Sequence, residues 1–276
     1  MYTTSAFAEG EIQHGETLAP ALAVYVCPQC KGPLAADQQA LRCAACARAY
    51  PVRRDIPDFI GDDLRHRNNW SLRHAGLFNW LAPIYETKLW YPIVMRLAGV
   101  KGVTSLPQLI GTVAAMTGTV SGDLLDVACG PGTFGRRIAT QATTVFGIDI
   151  SAGMLEQGRT YAARENVPNV HFARATVEAL PFADRRFATA LCCGSLHLFE
   201  DTRVALREIA RTLQPGAQLV GFTFAATESA FSRFALRHGA RLFEAKSLGE
   251  TLSETGLGDY SSQTFGSALL FRARKG

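Results

Sequence analysis

The sequence lacks long apolar runs and a strong imbalance of charge. No apolar stretch approaches the roughly 18 residues that a membrane-spanning helix needs, and residues 1–15 have neither the basic start nor the apolar centre of a signal peptide. We therefore expect a soluble cytoplasmic protein. The net charge of +4 permits an anionic partner but does not require one. Apolar residues make up 47% of the chain, which is enough for one large domain or a main domain with a smaller one.

Cysteine is scarce and unevenly placed. Four of the seven cysteines form two Cys-x-x-Cys pairs separated by twelve residues, namely Cys27, Cys30, Cys43 and Cys46. In a chain that is not secreted, this spacing favours a zinc site over a disulfide pair or free thiols, because each pair can bring two sulfurs to one ion. Four thiolates leave no open coordination position. We therefore predict a structural Zn²⁺ that supplies the folding energy of a small ribbon.

The stretch from Leu124 to Gly135 has the pattern of a buried strand, a tight glycine turn and the start of a helix. Gly130 and Gly132 permit backbone conformations and a close ligand approach that a Cβ would block. The free N–H groups of the following helix point into the same turn. A second strand ends at Asp149, 19 positions after Gly130, where its carboxylate can reach the ribose hydroxyls of a bound nucleoside.

The glycine pattern also matches the dinucleotide fingerprint, so a nicotinamide enzyme is an alternative. Asp126 at the strand end favours a ligand with an ammonium group over a diphosphate, and Pro131 removes an N–H that a pyrophosphate would use. The whole pattern resembles class I S-adenosylmethionine-dependent methyltransferases, in the small-molecule branch that includes the quinone C-methyltransferases. The resemblance covers residues 75–275. It implies an α/β fold, with a Rossmann-like, mainly parallel seven-stranded sheet and helices on both faces, beside the small N-terminal zinc ribbon.

The resemblance also implies which residues contact S-adenosylmethionine. Asp126 and the backbone of Gly130 and Gly132 would hold the amino-acid part, and Asp149 would hold the ribose. The further implied contacts are Ala128, Ile150, Met154, Thr176, Val177 and Cys193. Thr176 departs from the family pattern, which has an aspartate at this position for the adenine amino group. Its hydroxyl carries no charge, so that contact is in doubt.

Methyl transfer from a sulfonium requires alignment and exclusion of water more than proton transfer. A base is needed only when the acceptor is a weak nucleophile such as an alcohol, a phenol or an enol carbon. Residues 78–86 resemble the start of the family's domain, which would place Tyr85 over the cofactor and acceptor. Tyr85, Glu86 and His197 are the candidate proton-transfer groups, and His197 titrates near neutral pH. The alternative for each is a role in the pocket wall.

We predict four segments: a flexible tail at 1–22, the zinc ribbon at 23–62, a helical cap at 63–121 and the S-adenosylmethionine-binding domain at 122–276. The expected reaction is methyl transfer to carbon or oxygen of a small, apolar or aromatic acceptor. The aromatic, amphipathic cap permits a transient contact with a membrane surface. Removal of Cys27 or Cys43 is expected to unfold the ribbon without abolishing cofactor binding.

Two alternative functions remain open at this point. Residues 50–59 resemble the end of zinc ribbons fused to bacterial methyltransferases, and related ribbons are partner subunits of tRNA and release-factor methyltransferases. The chain could therefore be an RNA or protein methyltransferase that docks through the ribbon, although residues 24–60 carry five basic and three acidic side chains, which is not a nucleic-acid stripe. It could also be a non-catalytic zinc-ribbon interaction protein with a degenerate cofactor site. The oligomeric state is not predicted.

Overall fold

The computed structural model describes residues 23–37, 39–60, 76, 79–87, 90–103, 105–227, 230–238 and 241–276. The predicted tail at 1–22, the start of the predicted cap at 63–75, and Phe78 lie outside the described residues. Among the residues that are described, no helix has both the length and the apolar character to cross a membrane.

The N-terminal unit is a small antiparallel sheet built around the two cysteine pairs. Its four strands pair in sequence order, with β1 and β2 forming the hairpin between the pairs. They are β1 (Leu34–Asp37), β2 (Ala40–Cys43), β3 (Ala49–Arg53) and β4 (Ile56–Pro57). Strands of two to five residues bury too little apolar surface for a core of their own, so the unit needs further support.

The main unit is a seven-stranded sheet in the order β10-β11-β9-β8-β5-β6-β7, which confirms the predicted fold class. Strands β5 to β9 are parallel, and β10 and β11 form the antiparallel pair at one edge. The strands are β5 (Leu124–Val127), β6 (Val145–Asp149), β7 (Val170–Arg174), β8 (Phe187–Cys193), β9 (Leu213–Phe224), β10 (Leu257–Phe265) and β11 (Ala268–Lys275).

Helices cover both faces of this sheet, which explains why all four residues of β5 are buried. One face packs against α5 and α7, and the other packs against α1 to α4. The helices of the described part are α1 (Trp90–Ala98), α2 (Leu106–Thr117), α3 (Thr133–Ile138), α4 (Ala152–Arg164), α5 (Thr202–Thr212), α6 (Ala230–Arg237) and α7 (Ala245–Glu254).

Local sequence sets several of these boundaries. Ser151 caps α4, because its Oγ accepts a hydrogen bond from the Met154 N–H at 3.2 Å. Strand β9 begins at Leu213, which pairs with Phe187 of β8. A register shift between Phe187 and Thr189 accommodates residues 214–217 before regular pairing resumes at Gln218.

The ribbon packs against the β7 edge of the main sheet and shares its core. The rings of Tyr25 and Phe59 lie 5.3 Å apart, and Tyr25 also contacts Phe182, with the ring centroids 5.4 Å apart. The Phe59 N–H donates to the Arg174 carbonyl at 2.7 Å, so the last ribbon segment extends the sheet beyond β7. This contact covers a strand edge that would otherwise be open.

Candidate functional site

A cavity lies at the carboxyl ends of the parallel strands. Open α/β sheets bind ligands at this edge. Nine residues that were predicted to contact cofactor or substrate line it together: Tyr85, Ala128, Gly130, Asp149, Ile150, Met154, Thr176, Val177 and Cys193. Their individual roles stay predictions.

Asp149 organises the turn on the floor of the cavity. Its Oδ2 accepts a hydrogen bond from the Gly130 N–H at 2.8 Å, and its Oδ1 accepts one from the Ser151 N–H at 2.8 Å. Burial raises the pKa of this carboxyl above its ordinary value, while the N–H donors and Arg174 act in the opposite direction. The carboxylate therefore connects the ends of β5 and β6, and it stands at the position predicted for ribose recognition.

Asp126 and Gly132 do not line the cavity. The Asp126 side chain is 2% exposed, and its Oδ2 accepts a hydrogen bond from the Gly135 N–H at 2.9 Å. Gly132 is left-handed and directly precedes α3. The predicted contact of Asp126 with the amino group of a ligand stays a prediction. In the structure, the Asp126 carboxylate holds the first turn of α3 against β5, a position that sequence spacing alone does not reveal.

The close approach of Asp126 to α3 depends on Gly135. A Cβ at this position would lie 2.7 Å from Asp126 Oδ2 and 2.9 Å from Val145 Cγ1. We expect Gly135→Ala to lower the free energy of unfolding by about 1–3 kcal/mol, the usual cost of overpacking. Gly111→Ala is the matched control, because no atom lies within 4 Å of its Cβ position, and there alanine should add about 0.5–1 kcal/mol. Urea unfolding measures both, and equal effects would contradict the packing account.

Asp126 should make stability depend on pH. Burial raises its pKa to about 7 from 3.8, so its contribution to stability is present below pH 4 and is lost as the pH rises through 7. We expect Asp126→Asn, which keeps an acceptor for the Gly135 N–H, to raise the free energy of unfolding by about 1–3 kcal/mol at pH 8 and by little near pH 4. Urea unfolding at both pH values tests this, and a difference that does not change with pH would refute it.

Tyr85 forms part of the cavity wall above the glycine turn. Its Cε1 lies 3.9 Å from the position that a Cβ on Gly130 would occupy. The Tyr85 ring packs edge-on against Tyr91, with centroids 5.6 Å apart. Burial raises the pKa of the Tyr85 hydroxyl, so the group is neutral at physiological pH and acts as a hydrogen-bonding group rather than as a ready base. The predicted position over the ligand site fits this arrangement.

Glu86, in contrast, is engaged in an ion-pair cluster. Its Oε1 accepts a hydrogen bond from Thr133 Oγ1 at 2.6 Å and pairs with Arg136, while its Oε2 lies 3.3 Å from Arg137. The Glu86 side chain is only 8% exposed. Glu86 therefore anchors the cap to α3, and with both carboxylate oxygens engaged it is not a candidate base. The sequence could not predict this because the partners are about 50 residues away.

His197 lies beside the cavity but does not line it. Its ring packs edge-on against Phe224 with centroids 5.0 Å apart, and its Nδ1 is buried without a hydrogen-bond partner in the described part of the chain. Burial lowers the pKa of this imidazole to about 4, so it is neutral at physiological pH. Its neighbours Ser195 and Leu198 reach the cavity directly. A proton-transfer role for His197 stays a prediction.

The sequence did not predict several residues that shape the site. Asn79 of the cap accepts hydrogen bonds through Oδ1 from Ser151 Oγ at 2.7 Å and the Gly153 N–H at 2.8 Å, which fixes the start of α4. Arg174, the last residue of β7, donates from Nε to the Ile150 carbonyl at 2.8 Å. Its place at the carboxyl end of a predicted parallel strand was the sequence signal that could have placed it near the site. The lining residues that were not predicted are Ile148, Ala175, Glu178, Gly194, Ser195, Leu198 and Phe199.

The four ribbon cysteines come together as the spacing predicts. The Sγ atoms of Cys27, Cys30, Cys43 and Cys46 all lie within 4.8 Å of one another. A Cβ at Gly32 would lie 3.3 Å from two of these sulfurs, so the glycine leaves room for the cluster. Four converging thiol groups fit the tetrahedral coordination of a structural Zn²⁺. They could hold the ion without any open position for catalysis.

Matches to known families follow the two units. Residues 124–216 match the model described as a methyltransferase domain, and residues 22–55 match the Trm112p-like protein family. The main unit thus resembles known methyltransferase domains. The methyltransferase match begins at β5 and ends within β9, so it contains the glycine turn and most of the residues that line the cavity. The Trm112p-like match contains all four cysteines of the ribbon.

Several individual proteins resemble this chain. The uncharacterized chloroplastic methyltransferase At2g41040 of Arabidopsis thaliana is 25% identical over 91% of this chain and 78% of its own length. The demethylmenaquinone methyltransferase of Corynebacterium kroppenstedtii is 38% identical over 35% of this chain and 39% of its own length. A chain from the complex between the Haloferax volcanii Trm112 methyltransferase activator and a methyltransferase has a TM-score of 0.55 at 16% identity, over 75% of this chain and 98% of that chain.

The extent of these matches limits what they show. Apart from the Arabidopsis protein, the match spans only 36% to 52% of the length of these curated relatives. The structural likeness at 16% identity shows the fold.

Proposed function

We propose that this chain transfers a methyl group from S-adenosylmethionine to carbon or oxygen of a small, apolar or aromatic acceptor. The observation that carries the proposal is the cavity, which combines the Asp149 carboxylate and the Gly130 turn with otherwise mainly apolar walls. A nucleoside with a charged amino-acid tail needs the carboxylate and the glycine turn, and a flat apolar methyl acceptor fits the apolar walls.

The residues present fit S-adenosylmethionine. Asp149 offers carboxylate oxygens to ribose hydroxyls, and the side chains of Ile150, Met154 and Val177 offer apolar surface to adenine. The bound cofactor supplies a methyl group on a sulfonium, which is already activated for transfer. The protein then has to align the acceptor and exclude water. Tyr85 closes the cavity above the glycine turn and serves both purposes.

The choice of a small acceptor rests on the walls and on the relatives. Tyr85, Leu198 and Phe199 present apolar or aromatic surface to the cavity. Among the relatives are demethylmenaquinone methyltransferases and a 2-phytyl-1,4-naphtoquinone methyltransferase, whose names point to quinone-type acceptors. We therefore favour a quinone-like or phenolic molecule. Tyr85 is a neutral hydrogen-bond donor, and Asp149 is a hydrogen-bond acceptor held in place by backbone N–H groups, so neither is a ready base. A methyl-accepting substrate that is already nucleophilic at carbon therefore fits best.

A label-transfer experiment tests the proposal. The purified chain is given methyl-labelled S-adenosylmethionine with a small-molecule and lipid extract of the source cells, and separately with their total RNA and protein. We expect label in the small-molecule fraction, which supplies a mass for identification. Asp149→Ala run in parallel controls for a contaminating enzyme. Label in no fraction, despite cofactor binding, would favour a non-catalytic role.

The second candidate is an RNA or protein methyltransferase that docks through its ribbon. The Trm112p-like match and the likeness to a chain from a Trm112 complex favour it specifically. In this chain Tyr25 and Phe59 of the ribbon are already packed against the methyltransferase domain. An external partner would have to use the other ribbon surfaces. Label in the RNA or protein fraction would support this candidate over the first.

A further inference from the structure

The ribbon contacts Arg174, at the end of β7, through a buried carboxylate. Asp58 is 7% exposed, and its Oδ2 accepts a hydrogen bond from Arg174 Nη1 at 2.9 Å. The ribbon itself holds Asp58 in place, because its N–H donates to the Pro51 carbonyl at 2.8 Å and its Oδ1 accepts the Ile60 N–H at 3.0 Å. The position of this carboxylate therefore depends on the fold of the ribbon.

Arg174 connects this carboxylate to the ligand side of the sheet. While Nη1 binds Asp58, Nε of the same guanidinium donates to the Ile150 carbonyl at 2.8 Å. Ile150 lines the cavity and directly follows Asp149, whose own carbonyl accepts the Ala175 N–H at 3.1 Å. The planar guanidinium thus fixes two groups in one plane, the ribbon carboxylate and the loop that carries Asp149.

We propose that Asp58 and Arg174 are positioning residues through which the ribbon sets the conformation of the cofactor-binding loop at 149–151. The inference deepens the proposed function and rests on it. When the Asp58 carboxylate is absent, the Arg174 guanidinium loses a charged partner and holds the Ile150 carbonyl less firmly. The loop then samples other conformations, and binding of S-adenosylmethionine has to select the competent one.

Three variants test the relay. Asp58→Asn keeps the shape and an acceptor for the Ile60 N–H but removes the charge that binds Arg174. Arg174→Lys keeps the charge but loses the fork that binds both partners. Lys31→Met is the matched control, because it breaks a different ribbon–domain ion pair, to Glu208 at 3.2 Å, and neither residue lines the cavity.

Calorimetry on the full chain gives the first readout. We expect the Kd for S-adenosylmethionine to rise about 5- to 10-fold in Asp58→Asn and in Arg174→Lys, at the lower end of couplings between distinct sites. The double variant should be no weaker than the weaker single variant, because both substitutions break one relay. Lys31→Met should change the Kd by less than about twofold. Equal Kd values for Asp58→Asn and the wild type would overturn the inference.

Hydrogen exchange without any cofactor gives the second readout. A general loss of stability would speed exchange throughout the chain and not only in the loop at 149–151. Amide exchange in peptides spanning 149–152 should be faster in Asp58→Asn than in Lys31→Met, when both are compared at equal thermal stability. Unchanged exchange there would also overturn the relay. A wild type that binds no S-adenosylmethionine would contradict the proposed function instead, and the exchange data would still decide on the relay.

Discussion

Replacing Asp149 with alanine is expected to raise the Kd for S-adenosylmethionine at least about 100-fold. In the proposed complex, the substitution removes the acceptor for two ribose hydroxyls, and hydrogen bonds to a charged group contribute about 1.5–3 kcal/mol each. A loss of about 3 kcal/mol corresponds to a factor of roughly 100 in the Kd. The Gly130 and Ser151 N–H groups also lose their acceptor, which loosens the turn that faces the ligand. Calorimetry on the purified variant measures the change.

Two controls separate recognition from folding in this prediction. Glu178→Ala removes the other carboxylate that lines the cavity, and we expect its Kd to stay within about threefold of the wild type because no ribose contact is assigned to it. Asp149→Asn keeps the size of the side chain and one acceptor oxygen, so its affinity should fall between those of the wild type and alanine variants. If Asp149→Ala binds the cofactor as tightly as the wild type, the ribose assignment is wrong.

The main sheet could be predicted because its signals are local. The mainly apolar strand at 124–127, the glycine turn and the strand that ends at Asp149 each follow from neighbouring residues, and the structure has them in the predicted order. The same holds for the cysteine cluster, whose spacing alone implies four converging sulfurs. The register shift between β8 and β9 has no such local signal, because it depends on pairing across two strands.

The roles of individual charged side chains could not be predicted in the same way. Asp126 and Glu86 were assigned to ligand and proton transfer because acidic residues at those places suit that chemistry. In the structure, one binds the Gly135 N–H and the other binds Arg136. Both outcomes depend on which way a side chain turns in the packed protein. Arg174, in contrast, has a role in the structure that was not predicted at all. Its two partners lie 116 and 24 residues away in sequence, and no local pattern predicts them.

Loss of the metal site is the second prediction with a large expected effect. The ribbon has too little apolar surface to fold alone, so we expect a metal at its cysteines to supply its stability. The rings of Tyr25 and Phe59 belong to the aromatic cluster that also contains Phe146 and Phe182. Unfolding of the ribbon therefore removes two large side chains from the core of the methyltransferase domain, at about 1.5–3 kcal/mol each.

We accordingly expect Cys43→Ser, or removal of the metal by a chelator, to lower the Tm of the full chain by about 10 °C or more, since each kcal/mol shifts the Tm of a domain of this size by about 2–4 °C. Cys192→Ala is the matched control, because this buried cysteine lies outside the cluster and its truncation should cost only about 1 kcal/mol. Scanning calorimetry together with metal analysis gives both results. An unchanged Tm after the metal is stripped would contradict the structural role.

The same variant links stability to ligand binding. Cys43→Ser should weaken S-adenosylmethionine binding at least as much as Asp58→Asn does, because unfolding the ribbon removes Asp58 from Arg174. It should not abolish binding, since Asp149 and the glycine turn belong to the main sheet. A ribbon that stabilises the sheet through Tyr25 and Phe59, and orders the cofactor loop through Asp58, gives a physical reason for the two units to share one chain. If Cys43→Ser binds the cofactor tightly but has a lowered Tm, the ribbon stabilises the sheet but does not order the cofactor loop.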